Sequence, residues 1–160
     1  VRVDQASRGN PLFAIEIGQV PIAVQKEQNG YVLNTWLVAT LTAAISLVAN
    51  GVSTPEDVDR TYMIVNRGCA MGPCGLLDMV GMKTAYDVSS YWGTLNDDAQ
   101  MLKNAAYVKE RFLDRGLQGL MGGEGFYRYP NPAYAAPGFL AVPDSSVVPI
   151  LVNRMLLRSG

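Results

Sequence analysis

A chain of 160 residues with 49% hydrophobic residues, 17% charged residues and a net charge of −1 has material for one buried core but no concentrated positive field. That balance argues against nucleic acid as the main ligand, and the low charged fraction leaves apolar surface for a partner to cover. Histidine is absent, so no Ser-His or Cys-His dyad, imidazole base or His-ligated metal site can form within this chain.

Residues 1–25 differ from the rest. Val1-Arg2-Val3-Asp4 is charged and lacks the apolar run of a signal peptide, so a cytoplasmic location is expected. PLFAIEIG (11–18) reads as a short helix or its end. VPIAVQ (20–25) reads as a strand. No later strand is predicted for it to join, which suggests a sheet-containing domain upstream.

From Gly30 the period turns helical. Leu33, Leu37, Leu41, Ala44 and Val48 fall on one stripe, and Asn50-Gly51 ends it. Tyr31 to Ala49 is uncharged and about long enough to span a bilayer. Asn34, Thr35, Thr40, Thr42 and Ser46 and the lack of Lys or Arg flanks favour a helix buried on several sides, with no membrane. Thr54 is placed to cap a second helix, with Pro55 at its first position and Glu56 and Asp57 in its first turn. Val58, Tyr62 and Val65 form its predicted buried stripe.

Gly68 to Gly75 is a glycine-rich connector. Its glycines match neither GxGxxG nor GK[ST], so it is taken as a helix–helix link. Cys69 and Cys74 within it make neither a CxxC pair nor a zinc set, and two free thiols are expected. Pro73 opens a third helix carrying Leu76, Leu77, Val80, Thr84, Val88 and Tyr91, with a bend at Gly81. A fourth starts near Asp97-Asp98, buries Met101, Ala105, Val108 and Phe112, and stops at Gly116. Phe126 to Tyr129 reads as a short strand or hairpin. Residues 130–143 hold four prolines and read as an extended wrap. Ser145 to Arg158 reads as a last helix.

Few side chains offer chemistry. Asn34 is a polar residue near the start of an apolar helix. Its amide either is satisfied by the backbone there or points into a cleft toward a ligand carbonyl or hydroxyl. Lys26 and Glu27 read as a solvated pair. Asp78 reads as a cap or an intrahelical acceptor. Glu124 has no evident basic partner, and no two carboxylates are placed for acid–base work.

Three motifs nevertheless carry a resemblance. VPIAVQKEQNGYVLN (20–34), with NGVSTPEDVDRTYMI after the apolar helix, resembles the C-terminal half of the 3-hydroxyacyl-CoA dehydrogenase family. MGPCGLLDMVGMKTAYDV (71–88) is similar to that family's MGPF-x-LLD-x-VGL segment, and GGEGFYRYPNPAY (122–134) to its closing GxGFYxY motif. Together they cover residues 12–135, and the 3-hydroxybutyryl-CoA type is closest in pattern. Two positions depart: Asn29 replaces the first motif's proline, and Cys74 the second motif's Phe. The segment after residue 136 has no counterpart.

The resemblance implies a mainly α fold, a helical bundle like the 6-phosphogluconate dehydrogenase C-terminal-like dimerisation domain, with a short β remnant. It implies three segments: a remnant of an upstream Rossmann domain (1–27), a helical substrate and dimerisation domain (28–136), and a tail (137–160). The upstream domain would bind NAD and hold the catalytic His and Glu, leaving this chain no cofactor site, no metal site and no catalysis alone. The helical half would pair two subunits and close one wall of the acyl-CoA cleft, with Asn34 as the substrate-binding residue. Two readings compete: a free-standing helical binding or dimerisation module, and the helical half of a 3-hydroxyisobutyrate-type dehydrogenase.

Overall fold

The computed structural model describes residues 13–17, 20–23, 26 and 30–141. Two strands come first, β1 (Phe13–Ile17) and β2 (Val20–Ala23), and they pair antiparallel with each other. The expected helix end over 11–18 is therefore corrected across Phe13–Ile17. Phe13, Ile15 and Ile17 alternate with Ala14 and Glu16, a period of two that a short apolar run easily hides.

Five helices follow: α1 (Tyr31–Ala49), α2 (Pro55–Val65), α3 (Pro73–Val80), α4 (Met82–Leu95) and α5 (Ala99–Arg111). Their ends show why they form. The Gly51 N–H donates to Val48 O and the Val52 N–H to Leu47 O. This closing pair satisfies the last carbonyls of α1, and Gly51 sits at φ 65° to permit it. Thr54 accepts the Asp57 N–H at 3.2 Å to start α2. Asp98 accepts those of Gln100 and Met101 at 2.9 and 3.0 Å to start α5.

Gly81 has φ 95° and ψ 141°, a backbone that side-chain-bearing residues rarely adopt. It splits the predicted third helix into α3 and α4 and resets the phase. Val80 and Tyr91 are therefore exposed, while Met82, Ala85 and Ser89 turn inward. The stripe expected for α2 is also corrected. Val58 is buried, but Asp59 and Met63 take the inward positions, and Val65 is 74% exposed.

The core joins α1, α3, α4 and α5 through Leu41, Ile45, Leu77, Met82, Ala85, Val108 and Phe112. Each large aliphatic side chain buried there contributes about 1.5–3 kcal/mol. Asn50 Nδ2 donates to Gln100 Oε1 at 3.0 Å, so the end of α1 meets the start of α5. The two helices run antiparallel. α4 is antiparallel to α5 in turn, since Gly93 near its end packs on Leu102, and so α4 runs parallel to α1. Asn104, fully buried, ties α5 to α1 by donating to Ser46 Oγ at 2.8 Å.

α1 is long and apolar enough, by length and composition, to cross a membrane. The expectation that it is buried on several sides is corrected among the described residues. Leu41, Ala44 and Ile45 are buried, but Val32, Trp36 and Leu47 stand open on another face. Phe126 to Tyr129 forms no regular strand; that loop has isolated bridges, Gly119–Glu124 and Glu124–Arg128. The wrap after residue 130 includes a 3-10 turn, Ala133–Ala135. It then returns to α2, where Phe139 is buried beneath the Arg60 guanidinium and accepts from Arg60 Nε at 2.7 Å. The predicted helix over 145–158 lies outside the described residues.

Candidate substrate cleft

Gly30 precedes α1 at φ 84°, and its carbonyl accepts the Asn34 N–H at 3.1 Å. The side-chain amide of Asn34, by contrast, makes no hydrogen bond among the described residues. It is exposed and lines a cleft of about 450 Å³ between α1, α3 and α4. That volume is in the range of small-molecule sites. The walls are mostly apolar: Val38, Leu41, Leu77, Val88 and, at the far end, Trp92. No Lys, Arg, Asp or Glu lines it. Because α4 runs parallel to α1, Asn34 stands at the end near Thr84. Ile45 and Trp92 stand at the other end, about 16 Å along α1.

A second polar cluster, absent from the sequence reading, lies outside this cleft. Asp59 is fully buried. It accepts the N–H groups of Cys74 at 2.6 Å and Gly75 at 2.9 Å, and the Tyr127 hydroxyl at 2.9 Å. A carboxylate from α2 thus caps the start of α3. Asp78 accepts the N–H groups of Phe126 and Tyr127 at 2.8 and 2.9 Å and the Tyr129 hydroxyl at 3.0 Å. It is neither a cap nor an intrahelical acceptor, as the sequence suggested, but the clamp that holds the GEGFYRY loop. A side chain at Gly125 would collide with its carboxylate.

Burial lifts both Asp59 and Asp78 above the usual carboxylate range, against the lowering effect of the N–H and hydroxyl donors. The same burial, with Asp59 alongside, pushes the Cys74 thiol and the Tyr127 hydroxyl upward. These groups are structural acceptors and donors rather than a poised acid and base. Both cysteines are free, Cys69 exposed and Cys74 buried. Glu124, expected to stand alone, pairs with Arg128 at 3.4 Å. Lys26 is exposed, and Glu27 lies outside the described residues.

The glycine-rich connector offers no pyrophosphate cradle. It joins two helices, and the first free N–H groups of α3 are taken by the Asp59 carboxylate. A bound phosphate would need those donors. This connector therefore does not form a pyrophosphate site. Among the described residues no group of three His, Cys, Asp or Glu is placed to hold a metal ion.

Five helices, a loop clamped by two buried carboxylates and an apolar cleft beside an unpaired amide define a helical domain with a candidate ligand cleft. The chain belongs to the family of the 3-hydroxyacyl-CoA dehydrogenase C-terminal domain, whose sequence model matches residues 30–129. It is 35% identical over 115 residues to a 5-formyl-3-hydroxy-2-methylpyridine 4-carboxylate 5-dehydrogenase of Mesorhizobium japonicum, covering 71% of this chain and 36% of that protein. It is 32% identical over 117 residues to the mitochondrial hydroxyacyl-coenzyme A dehydrogenase of Rattus norvegicus, covering 73% and 36%. A solved diketoreductase, described for dual catalysis of dicarbonyl compounds, superposes with a TM-score of 0.63 at 46% identity. The match covers 70% of this chain and 38% of that one. The chain thus spans little more than a third of the length of these relatives.

Proposed function

We propose that this domain forms the substrate-side wall of an NAD-dependent 3-hydroxyacyl-CoA dehydrogenase of the cytoplasm, which oxidises 3-hydroxyacyl-CoA to 3-oxoacyl-CoA in fatty-acid metabolism. The observation that carries the reading is the Asn34 amide, unpaired at one end of an apolar cleft of about 450 Å³. An amide there can hydrogen-bond the oxygen of the reacting carbon while the apolar walls take the acyl chain. The base that removes the proton and the nucleotide site belong to a Rossmann domain upstream, of which residues 1–27 are the end. Family membership supports that reading.

The domain also pairs with a second copy of itself. Val32, Trp36 and Leu47, all exposed, fall within about 60° of one another around α1, on the face opposite the cleft. The free thiols of Cys69 and Cys74 fit a reducing compartment.

The test is an absorbance assay for NADH with 3-hydroxybutyryl-CoA. The chain alone gives no turnover at any pH, and the chain joined to the dinucleotide-binding domain encoded upstream turns over. Activity of the chain alone, or inactivity of the joined protein on every 3-hydroxyacyl thioester, refutes the assignment.

A further inference from the structure

We propose that Ser89 is a specificity-determining residue, and that the cleft selects an acyl tail carrying a second, uncharged oxygen. This deepens the function proposed above and rests on the cleft being the substrate site. Ser89 lies on α4 and is only 3% exposed. A helical serine either turns its hydroxyl out to solvent or returns it to the carbonyl four residues back. Ser46 does the latter, to Thr42 O at 2.9 Å, and Thr40 to Trp36 O at 3.0 Å. Ser89 makes no such bond and no other among the described residues.

Its hydroxyl is nonetheless not sealed in. No fully enclosed side-chain oxygen or nitrogen among the described residues lacks a partner, and Ser89 lines the cleft. The hydroxyl therefore faces cleft space. Ser89 is five residues beyond Thr84 and three before Trp92, so it stands in the inner part of the cleft, away from Asn34. Thr42 and Thr84 line the cleft as well. The wall thus has the Asn34 amide as one polar station at one end and the Ser89 hydroxyl as a second farther in, on a lining that is otherwise mostly apolar. A saturated acyl tail would leave the second station unsatisfied. A tail bearing a carbonyl or hydroxyl would fill it, and a site built around such a bond discriminates against the analogue that lacks it. Without a charged residue in the lining, an uncharged oxygen suits this wall better than a carboxylate or phosphate.

Trp92 lines the cleft and reports on its occupancy, with Trp36 replaced by Phe to remove the other indole signal. The full chain is titrated with heptan-2-one, heptane-2,4-dione and heptane-2,6-dione, following Trp92 emission. In the protein with native Ser89, at least one dione is expected to bind about tenfold more tightly than the monoketone. Ser89→Ala is expected to erase that preference without weakening the monoketone, and Ser89→Thr to restore part of it. Circular dichroism and the urea midpoint of each variant check the fold. Equal binding of all three ketones, or a preference that survives Ser89→Ala, overturns the role of Ser89 and leaves the cleft as a site. Binding of none of them overturns both.

Discussion

Asp59 and Tyr127, 68 residues apart in sequence, meet inside the protein, where the tyrosine hydroxyl donates to the carboxylate at 2.9 Å. The same carboxylate holds the first N–H groups of α3. One side chain therefore joins α2, α3 and the closing loop. Tyr127→Phe removes one donor from a buried charged acceptor and is expected to cost about 1.5–3 kcal/mol. Asp59→Ala also strands two N–H groups at the start of α3 and is expected to cost about 3–5 kcal/mol. Urea denaturation followed at 222 nm ranks the two. If Tyr127→Phe proves the more damaging, the carboxylate is not the hub.

The pH dependence follows from Asp59 and Asp78 together. Burial raises both in the folded state, above an unfolded value of about 3.9. Their contribution to stability is then fully present below that unfolded value and is lost as pH rises through the raised folded ones. Protonated Asp78 keeps its bonds because the Tyr129 hydroxyl can rotate from donor to acceptor. Asp78→Asn cannot adapt this way, since its NH2 confronts N–H groups. The advantage of the native protein over Asp78→Asn is expected to be largest in acid and to shrink toward neutral pH. Melting temperatures measured in steps from pH 3.5 to 7.5 decide the matter, and an advantage that grows with pH contradicts it.

The helix ends were legible in the sequence because each rests on neighbours. Thr54 with Asp57, Asp98 with Met101, and Gly51 after α1 are separated by three residues or fewer. The face of α5 was legible too, since Met101, Ala105, Val108 and Phe112 keep one uninterrupted phase. The inward face of α4 was hidden because Gly81 breaks the phase while the apolar pattern runs on through it. The clamps were hidden for a different reason: Asp78 and its loop partners lie 48 to 51 residues apart. A charge at an apolar position signalled that Asp78 was bonded, but not to what. In Asp59 the signal was present and weaker. It follows Val58 in a helix whose inward phase was set only by packing on α3. The cleft came into view only as Asn34, because Ser89 is one small residue among many until its missing bond is seen.

The open face of α1 makes the proposed dimer testable. Trp36 is 47% exposed, with Val32 and Leu47 on the same face. A symmetric pair would bury this face twice over and remove it from water. Trp36→Glu places a charge at that contact and touches no core cluster. It is expected to convert a dimer to a monomer in sedimentation equilibrium, with the urea midpoint of the monomer little changed. A native chain that sediments as a monomer at high concentration removes this part of the proposal.

Asn34 allows substrate binding to be separated from folding. Its amide bonds to nothing among the described residues, and the side chain is exposed at the cleft end. Asn34→Ala should therefore leave the urea midpoint of this chain within about 0.5 kcal/mol of native stability. On the proposed function, in the protein joined to a nucleotide-binding domain, the same change would remove a hydrogen bond to the oxygen of the reacting carbon. A loss of about ten- to a hundredfold in kcat/KM is expected, equivalent to about 1.4–2.7 kcal/mol. If the amide meets the oxygen equally before and during reaction, KM rises and kcat holds. If it meets the oxygen more strongly as charge develops, kcat falls instead. Asn34→Asp keeps the shape but presents an acceptor to an oxygen that needs a donor, and so should be worse than Asn34→Ala. Steady-state kinetics of the three proteins test the order native, Ala, Asp. An aspartate variant as active as the native protein would show that Asn34 faces the cleft without serving the reaction.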